Sequence, residues 1–196
     1  MMNNSSTIMN PPRQLAVIEA MSVGLNFNMA SEPLTGSLLR TLVRSKPGGN
    51  FLELGTGTGI STCWMLDGMD SNSTLLTLDN DMRVQSVARR ALGEDSRVQF
   101  FHAEGSAFID QLCQEGQTFD FIFADTWPGK FYYLDETLRL LKPGALYVVD
   151  DLLPQSNWAD DHSGSVAIFL QHMIERPDLV MTPLMWSTGL LIATKI

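Results

Sequence analysis

An apolar strand running into three evenly spaced glycines constrains this chain more than any other feature. Residues 51 to 62 read Phe-Leu-Glu-Leu-Gly-Thr-Gly-Thr-Gly-Ile-Ser-Thr, with Glu53 in the strand and Gly55, Gly57 and Gly59 after it. Glycine lacks a Cβ, so such a turn reaches dihedrals closed to other residues and lets a ligand lie against bare backbone. A helix starting near Ile60 would present free N–H groups to an anionic group. The pattern describes a nucleotide-type cofactor site at the first strand of an open α/β sheet. The competing reading is a sharp strand-to-helix turn with no ligand. A dinucleotide fingerprint, G-x-G-x-x-G/A, fails here, because its third place falls on Ile60 counted from Gly55 and on Thr62 counted from Gly57.

The rest of the chain alternates strand and helix. Helices are expected over 12–25, 34–45, 82–92, 106–114, 131–141 and 164–175. Strands are expected over 51–54, 74–78, 98–102, 119–124 and 145–150, with two closing strands near 179–186 and 189–195 around the turn Ser187-Thr188-Gly189. Residues 1–10 are polar and expected to fray. The alternation predicts a mostly parallel sheet with helices on both faces, and two successive strands at the end predict one antiparallel strand. A length of 196 residues suits one domain. A net charge of −9 with no basic run argues against a nucleic-acid partner. Cys63 and Cys113 stand outside any C-x-x-C, which suits a reducing compartment. No secretory pattern and no run of membrane-spanning length is visible, so the cytoplasm is the expected location and no membrane partner is expected.

With Glu53, Gly55, Gly57 and Gly59 filling its fixed places, the segment resembles motif I, E/D-x-G-x-G-x-G, of class I S-adenosylmethionine-dependent methyltransferases. Asp79 ends the second strand, 20 residues past Gly59 (79 minus 59), where a carboxylate can accept two hydrogen bonds from a ribose diol. Asn80 and Asp81 follow, and Asp81 is expected to cap the next helix. Further on, Phe121-Ile-Phe-Ala-Asp125-Thr-Trp127-Pro-Gly-Lys130 and Tyr147-Val-Val-Asp150-Asp151, with Met29, Ser31 and Gly36 ahead of the glycine loop, resemble the catechol and caffeoyl-coenzyme A O-methyltransferase group. The resemblance spans residues 26 to 196 by motif order. It implies a single-domain Rossmann-like methyltransferase fold with a seven-stranded sheet, residues 34–196 binding S-adenosylmethionine and residues 1–33 capping an acceptor pocket. It implies Ser31, Glu53, Gly55, Thr56, Gly57, Gly59, Ser61, Asp79, Asn80, Glu104, Gly105, Ser106, Asp125 and Trp127 as cofactor contacts, with 104–106 and Trp127 beside the adenine. It also implies Asp125, Asp150 and Asp151 as oxygen ligands of Mg²⁺ or another divalent cation.

The chain departs from that group twice. Asp151 stands where relatives usually have Asn, and Pro128-Gly129 separates Trp127 from Lys130, whereas catechol-type enzymes place the lysine directly after the tryptophan. Without a metal, crowded acids push one carboxyl upward and create a general base. The segment from Leu152 to His162 reads as a loop over the acceptor, with Trp158 as an aromatic wall and Asp160 or Asp161 as a helix cap. Asp125, Lys130 and His162 are the candidate catalytic groups. His102 and His172 read as structural, and 21–29 reads as core or the face of a homodimer. The function expected is O-methyl transfer to a small, hydroxylated, aromatic acceptor. A metal-independent methyltransferase and a non-catalytic cofactor-binding regulator are the alternatives.

Overall fold

The computed structural model describes residues 10–156, 158 and 161–196. Seven strands make one sheet: β1 (Asn50–Leu54), β2 (Thr74–Asp79), β3 (Val98–His102), β4 (Phe119–Ala124), β5 (Leu141–Val149), β6 (Leu179–Leu184) and β7 (Leu190–Lys195), in the order β3-β2-β1-β4-β5-β7-β6. Strands β1 to β5 are parallel, and β7 is antiparallel to both its neighbours. This is the α/β sheet with one reversed strand that the alternation predicted. The order reverses between β1 and β4, so the connections leaving their carboxyl ends diverge and open a crevice there.

The strands follow a period of two that serves both faces. Phe51, Phe121, Phe123 and Val148 pack with Leu15 and Ile18 of α1 (Leu15–Gly24), Leu39 of α2 (Pro33–Arg44), Trp64 of α3 (Ile60–Gly68) and Val87 of α4 (Met82–Leu92). Leu52, Leu54, Ile122, Tyr147 and Val149 pack with Phe108 of α5 (Gly105–Gln114), Leu138 of α6 (Leu134–Arg139) and Phe169 of α7 (His162–Ile174) on the other face. Each such side chain contributes roughly 1.5–3 kcal/mol by leaving water. Pro33 opens α2 at a position whose N–H needs no partner. Asp81 caps α4, accepting from the N–H groups of Arg83 and Val84. Among the described residues, no helix is long and apolar enough to cross a membrane.

Several boundaries differ from the sequence expectation; α1 begins at Leu15 instead of residue 12 and β6 ends at Leu184 instead of residue 186. The helix expected over 131–141 shrinks to Leu134–Arg139, because Tyr133 sits in the left-handed region at φ 57° and 127–132 forms a turn closed by Phe131 N donating to Trp127 O at 2.8 Å. Leu141 already belongs to β5, whose pairing with β4 jumps from Phe119↔Leu141 to Phe121↔Leu146 across the Pro143-Gly144 bulge. Helix α7 starts at His162, two residues early. Apart from Asn10, the fraying expected of 1–10 lies outside the described residues, as does the cap expected at Asp160.

Gly59 is the N-cap of α3 at φ 93°, and a Cβ there would lie 2.7 Å from Ala88 Cβ of α4. Gly144 shares a positive φ of 75° but faces open space. Gly59→Ala is therefore expected to cost roughly 2–4 kcal/mol, from left-handed strain plus overpacking, and Gly144→Ala only about 1 kcal/mol. Urea unfolding of the two variants checks this, and equal losses would show that the α3–α4 contact yields freely.

Candidate functional site

The site begins beneath the glycine loop. The period of two points Glu53 to the same face as Phe51, where it is fully buried. Three hydroxyls donate to its carboxylate: Ser61 at 2.5 Å, Thr62 at 2.5 Å and Thr77 at 2.6 Å. One side chain thereby ties β1 to the first turn of α3 and to β2. Burial raises its carboxyl to about 7, opposed by the three hydroxyl bonds. Glu53 does not line the crevice. Its oxygens face donors behind the loop, so in this structure it supports the turn from beneath.

The loop is fixed from above as well. Gly55 N and Thr56 N donate to Leu78 O at 3.0 and 2.9 Å. A Cβ on Gly55, at φ 104°, would lie 2.8 Å from the main-chain oxygen of Asp125. Asp79 accepts from Gly57 N at 2.7 Å and from Asp81 N at 2.8 Å, one on each oxygen. A carboxylate oxygen has two lone pairs, so both keep room for a ligand hydroxyl.

In front of the loop lies a cavity of about 450 Å³, which shares Gly55, Asp79, Asn80, Thr126 and Trp127 as a wall with a second of about 220 Å³. The larger is lined by Ser31, Thr56, Gly57, Ser61, Asp125, Lys130, Asp151 and His162 among the expected residues, and the smaller by Glu104 and Gly105. Gly59, Ser106 and Asp150 line neither. Gly59 is taken up by the α3–α4 contact, and Ser106 spends its hydroxyl on Glu104, which also accepts from Ala107 N at 3.1 Å as the N-cap of α5.

Asp125 and Asp150 end neighbouring parallel strands. Burial first, and then the charges of Asp150 and Asp151, push the Asp125 carboxyl well above the usual range, while Lys130 and a bond from Ser31 Oγ at 3.2 Å oppose the rise. Asp150 rises to about 6, mainly through burial. Its Oδ1 accepts from the Thr188 hydroxyl and from Asp151 N at 2.8 Å. Among the described residues, no three acidic, histidine or cysteine side chains group as a metal site requires. The three acids share one sheet edge; Asp125 and Asp151 line the cavity, and Asp150 Oδ1 is taken up by Thr188 and Asp151 N, so the expected trio is not assembled as a ligand set in this structure.

Lys130 is 2% exposed. The Pro128-Gly129 insertion folds back, with Gly129 N donating to Tyr132 O at 2.7 Å and the Tyr147 hydroxyl donating to Gly129 O, and returns Lys130 to the acids. Its Nζ donates to the main-chain oxygen of Asp150 at 3.1 Å and lies 4.9 Å from the Phe131 ring centroid. His162 stacks on Trp158 at 4.1 Å and meets Phe131 edge-on at 5.1 Å. Its Nε2 lies 3.3 Å from Asp151 O, and burial lowers its pKa, which keeps the ring neutral near pH 7.

Several site residues escaped the sequence reading. Phe27 and Ala30 line the larger cavity from the N-terminal segment, and Ser22 of α1 donates to Thr58 of the glycine loop at 2.8 Å. Gln85, fully buried, donates to Thr56 Oγ1 at 3.1 Å and to Phe101 O at 2.8 Å. A polar residue on the apolar stripe of α4 was the available signal for it. Thr188 carried none, since it reads as an ordinary hairpin turn.

A family model described as O-methyltransferase matches residues 6–180. A catechol O-methyltransferase of Niastella koreensis is 34% identical over 141 residues, which cover 69% of this chain and 64% of that protein. The chain spans less than two thirds of the length of the curated relatives it matches. Among solved structures, an O-methyltransferase from Bacillus cereus in complex with SAH superposes with a TM-score of 0.83 at 23% identity, covering 93% of this chain and 90% of that one. The O-methyltransferase TomG from Streptomyces achromogenes in complex with SAM gives 0.82 at 22% identity, covering 93% and 89%. At that identity the likeness shows the fold.

The Glu53 carboxyl keeps its proton up to about 7 when folded, against an ordinary 4.5 when unfolded. Its contribution to stability is therefore full below pH 4.5 and is lost as pH rises to 7, reaching a cost of about 3 kcal/mol above that. Asp125 and Asp150 act with the same sign. Glu53→Gln is expected to flatten, without abolishing, the fall in unfolding free energy between these pH values. Denaturant titrations across that range decide it, and an unchanged slope would place the Glu53 proton elsewhere.

Proposed function

The chain belongs to the O-methyltransferase family, and from that premise we propose that it binds S-adenosylmethionine and methylates a hydroxyl of a small aromatic acceptor. The observation that carries this reading is the single cavity lined by Asp79, the bare Gly55–Gly57 backbone and Asp125. The residues present suit the cofactor: a carboxylate for the ribose at Asp79, a flat ring at Trp127 for the adenine edge, and open backbone between them. The cofactor supplies a methyl group on a sulfonium, which passes in line to the attacking oxygen. Asp125, raised by burial and its acidic neighbours, takes the hydroxyl proton. The aromatic wall of Trp158 and His162 holds the acceptor ring and excludes water, so positioning supplies much of the rate. No step is routed through a metal. Residues 10–33 act as the acceptor-side wall through Phe27, Met29 and Ser31. A homodimer through the exposed Val23 and Met29, and action in the cytoplasm, belong to the same proposal.

Calorimetry should give heat with S-adenosylmethionine and with its demethylated product and none with NAD. The reverse result would sink the reading. Asp79→Ala should weaken cofactor binding by about 1–3 kcal/mol, since charge-assisted bonds to the ribose are lost.

Asp125→Asn should leave most cofactor affinity intact while lowering transfer by about 10²–10⁴-fold. Wild-type transfer should fall as pH drops through the raised Asp125 value, where the base is protonated. A flat acid limb would transfer the role to another group.

A further inference from the structure

The side-chain hydrogen bonds behind the glycine loop run toward Glu53. Arg89 Nε of α4 donates to Gln85 Oε1 at 2.9 Å, and Gln85 Nε2 donates to Thr56 Oγ1 at 3.1 Å. Thr77 spends its hydrogen on Glu53 Oε2, so Thr56 is the donor in the 2.7 Å bond between the two threonines. Thr62 donates to the same carboxyl oxygen. Among the described residues, Oε1 has one partner, the Ser61 hydroxyl. That inventory fits an ionised carboxylate, which accepts and cannot donate.

A proton on Glu53 changes the pattern at one place. Oε2 already receives hydrogens from two fully buried hydroxyls, Thr62 and Thr77. The proton therefore goes to Oε1 and is donated to Ser61, which must turn its own hydrogen elsewhere. Ser61 has somewhere to turn it, because it stands in the first turn of α3 and lines the larger cavity. A carboxyl outside the cavity thus decides whether Ser61 shows the cavity a hydrogen or only lone pairs.

The carboxylate is the one anionic group of S-adenosylmethionine, and a helix start attracts an anion. Such a carboxylate needs a hydrogen from Ser61 and is repelled by an ionised Glu53 behind it. Among charged groups, Asp79 at the end of β2 raises Glu53 further. The other groups around it are neutral: Thr77 of β2, Ser61 and Thr62 of α3, Phe123 beside it in β4 and, through Thr56, Gln85 of α4, with Arg89 one bond further out. Helix α1 reaches the loop through the neutral Ser22, and its Glu19 is exposed.

We propose that Glu53, acting through Ser61, couples cofactor binding to a proton, because the cofactor carboxylate takes a hydrogen from Ser61 only while Glu53 is protonated. Glu53 is then a positioning residue, and the complex holds its proton more firmly than the free protein does. This rests on the methyltransferase reading. The proton comes from solvent and adds to Oε1, and no other covalent bond changes.

Burial puts the free carboxyl at about 7. A bound carboxylate raises it, so binding takes up a proton once pH passes that value, and affinity falls as pH rises. A one-unit rise gives an uptake of about half a proton near pH 7.5 and about a fivefold loss of affinity from about pH 6.5 to about pH 8.5.

The test is calorimetry of the full chain with S-adenosylhomocysteine, the demethylated product, in buffers of different ionisation heat, which counts the protons. Protons moved by Asp79, Asp125 or the ligand amine appear equally in wild type and in Glu53→Gln, so the difference between the two belongs to Glu53. Glu53→Gln places its amide N–H₂ at the Oε1 position, because Oε2 keeps two donors, and holds Ser61 turned to the cavity. It should bind at the upper pH about as tightly as wild type binds at the lower one, without the uptake. A merely structural Glu53 would leave that variant weaker at every pH and overturn the proposal. Ser61→Ala should lose most of the uptake, and 5′-methylthioadenosine, which lacks the carboxylate, should bind with none. Wild-type binding without uptake, full uptake in either variant, or equal uptake with 5′-methylthioadenosine would also overturn it. Ser61→Ala and the carboxylate-free ligand decide should Glu53→Gln fail to fold. No heat with S-adenosylhomocysteine at any pH would instead sink the methyltransferase reading itself.

Discussion

Everything at the carboxyl edge depends on one buried carboxyl. Glu53 gathers hydroxyls from α3 and β2 onto the last turn of β1 and so fixes where the glycine loop leaves the sheet. A buried acid is costly, and its cost falls only when every lone pair finds a donor. Ser61, Thr62 and Thr77 supply three such donors, which explains three small hydroxyl residues in an otherwise apolar layer. With the loop anchored, Gly57 N reaches Asp79 and the main-chain oxygen of Asp125 passes close over Gly55. The cofactor edge and the acid edge are therefore set by a single anchor.

The second constraint is charge. Three carboxylates end two adjacent strands in a dry region, where like charges repel strongly. The chain answers in three ways. It raises Asp125 and Asp150 so that they hold protons more readily, it spends Asp150 on Thr188 and Asp151 N, and it folds Lys130 back among them. The Pro128-Gly129 insertion is what makes the last step possible, because Gly129 adopts φ 87° and lets the segment reverse. An insertion that displaces the lysine along the sequence still brings its Nζ to the main-chain oxygen of Asp150.

The sheet was legible because strand alternation and glycine spacing are local signals, and both survive in one sequence. Asp79 as the last residue of β2 and Asp81 as the cap of α4 were legible for the same reason. What the sequence leaves out shares a cause too. Motif spacing says that Glu53 is near a site but not that it lies behind the loop. Strand ends bring Asp125, Asp150 and Asp151 to one edge, but the Thr188 hydroxyl that Asp150 accepts from comes from far along the chain. The helix expected over 131–141 ran past its end because Leu140 and Leu141 are both buried, although Leu140 is the C-cap of α6 and Leu141 opens β5.

That distant partner gives the closing hairpin a role at the site. Its turn is fastened on both sides: Ser187 Oγ lies 3.1 Å from Thr35 Oγ1 of α2, and Leu152 N and Leu153 N donate to Gly189 O at 3.0 Å and Thr188 O at 2.8 Å. A Cβ on Gly189 would sit 2.5 Å from Leu153 N, so the turn and the segment after β5 pack backbone to backbone. The reversed strand β7 is what delivers Ser187 and Thr188 to the carboxyl edge, since an antiparallel strand begins where its parallel neighbours end. Thr188 then draws Asp150 back, and the segment held by the hairpin leads to Trp158 and His162. The hairpin thus decides which acids face the crevice, Asp125 and Asp151 but not Asp150, and leaves Lys130 as the cation of that wall.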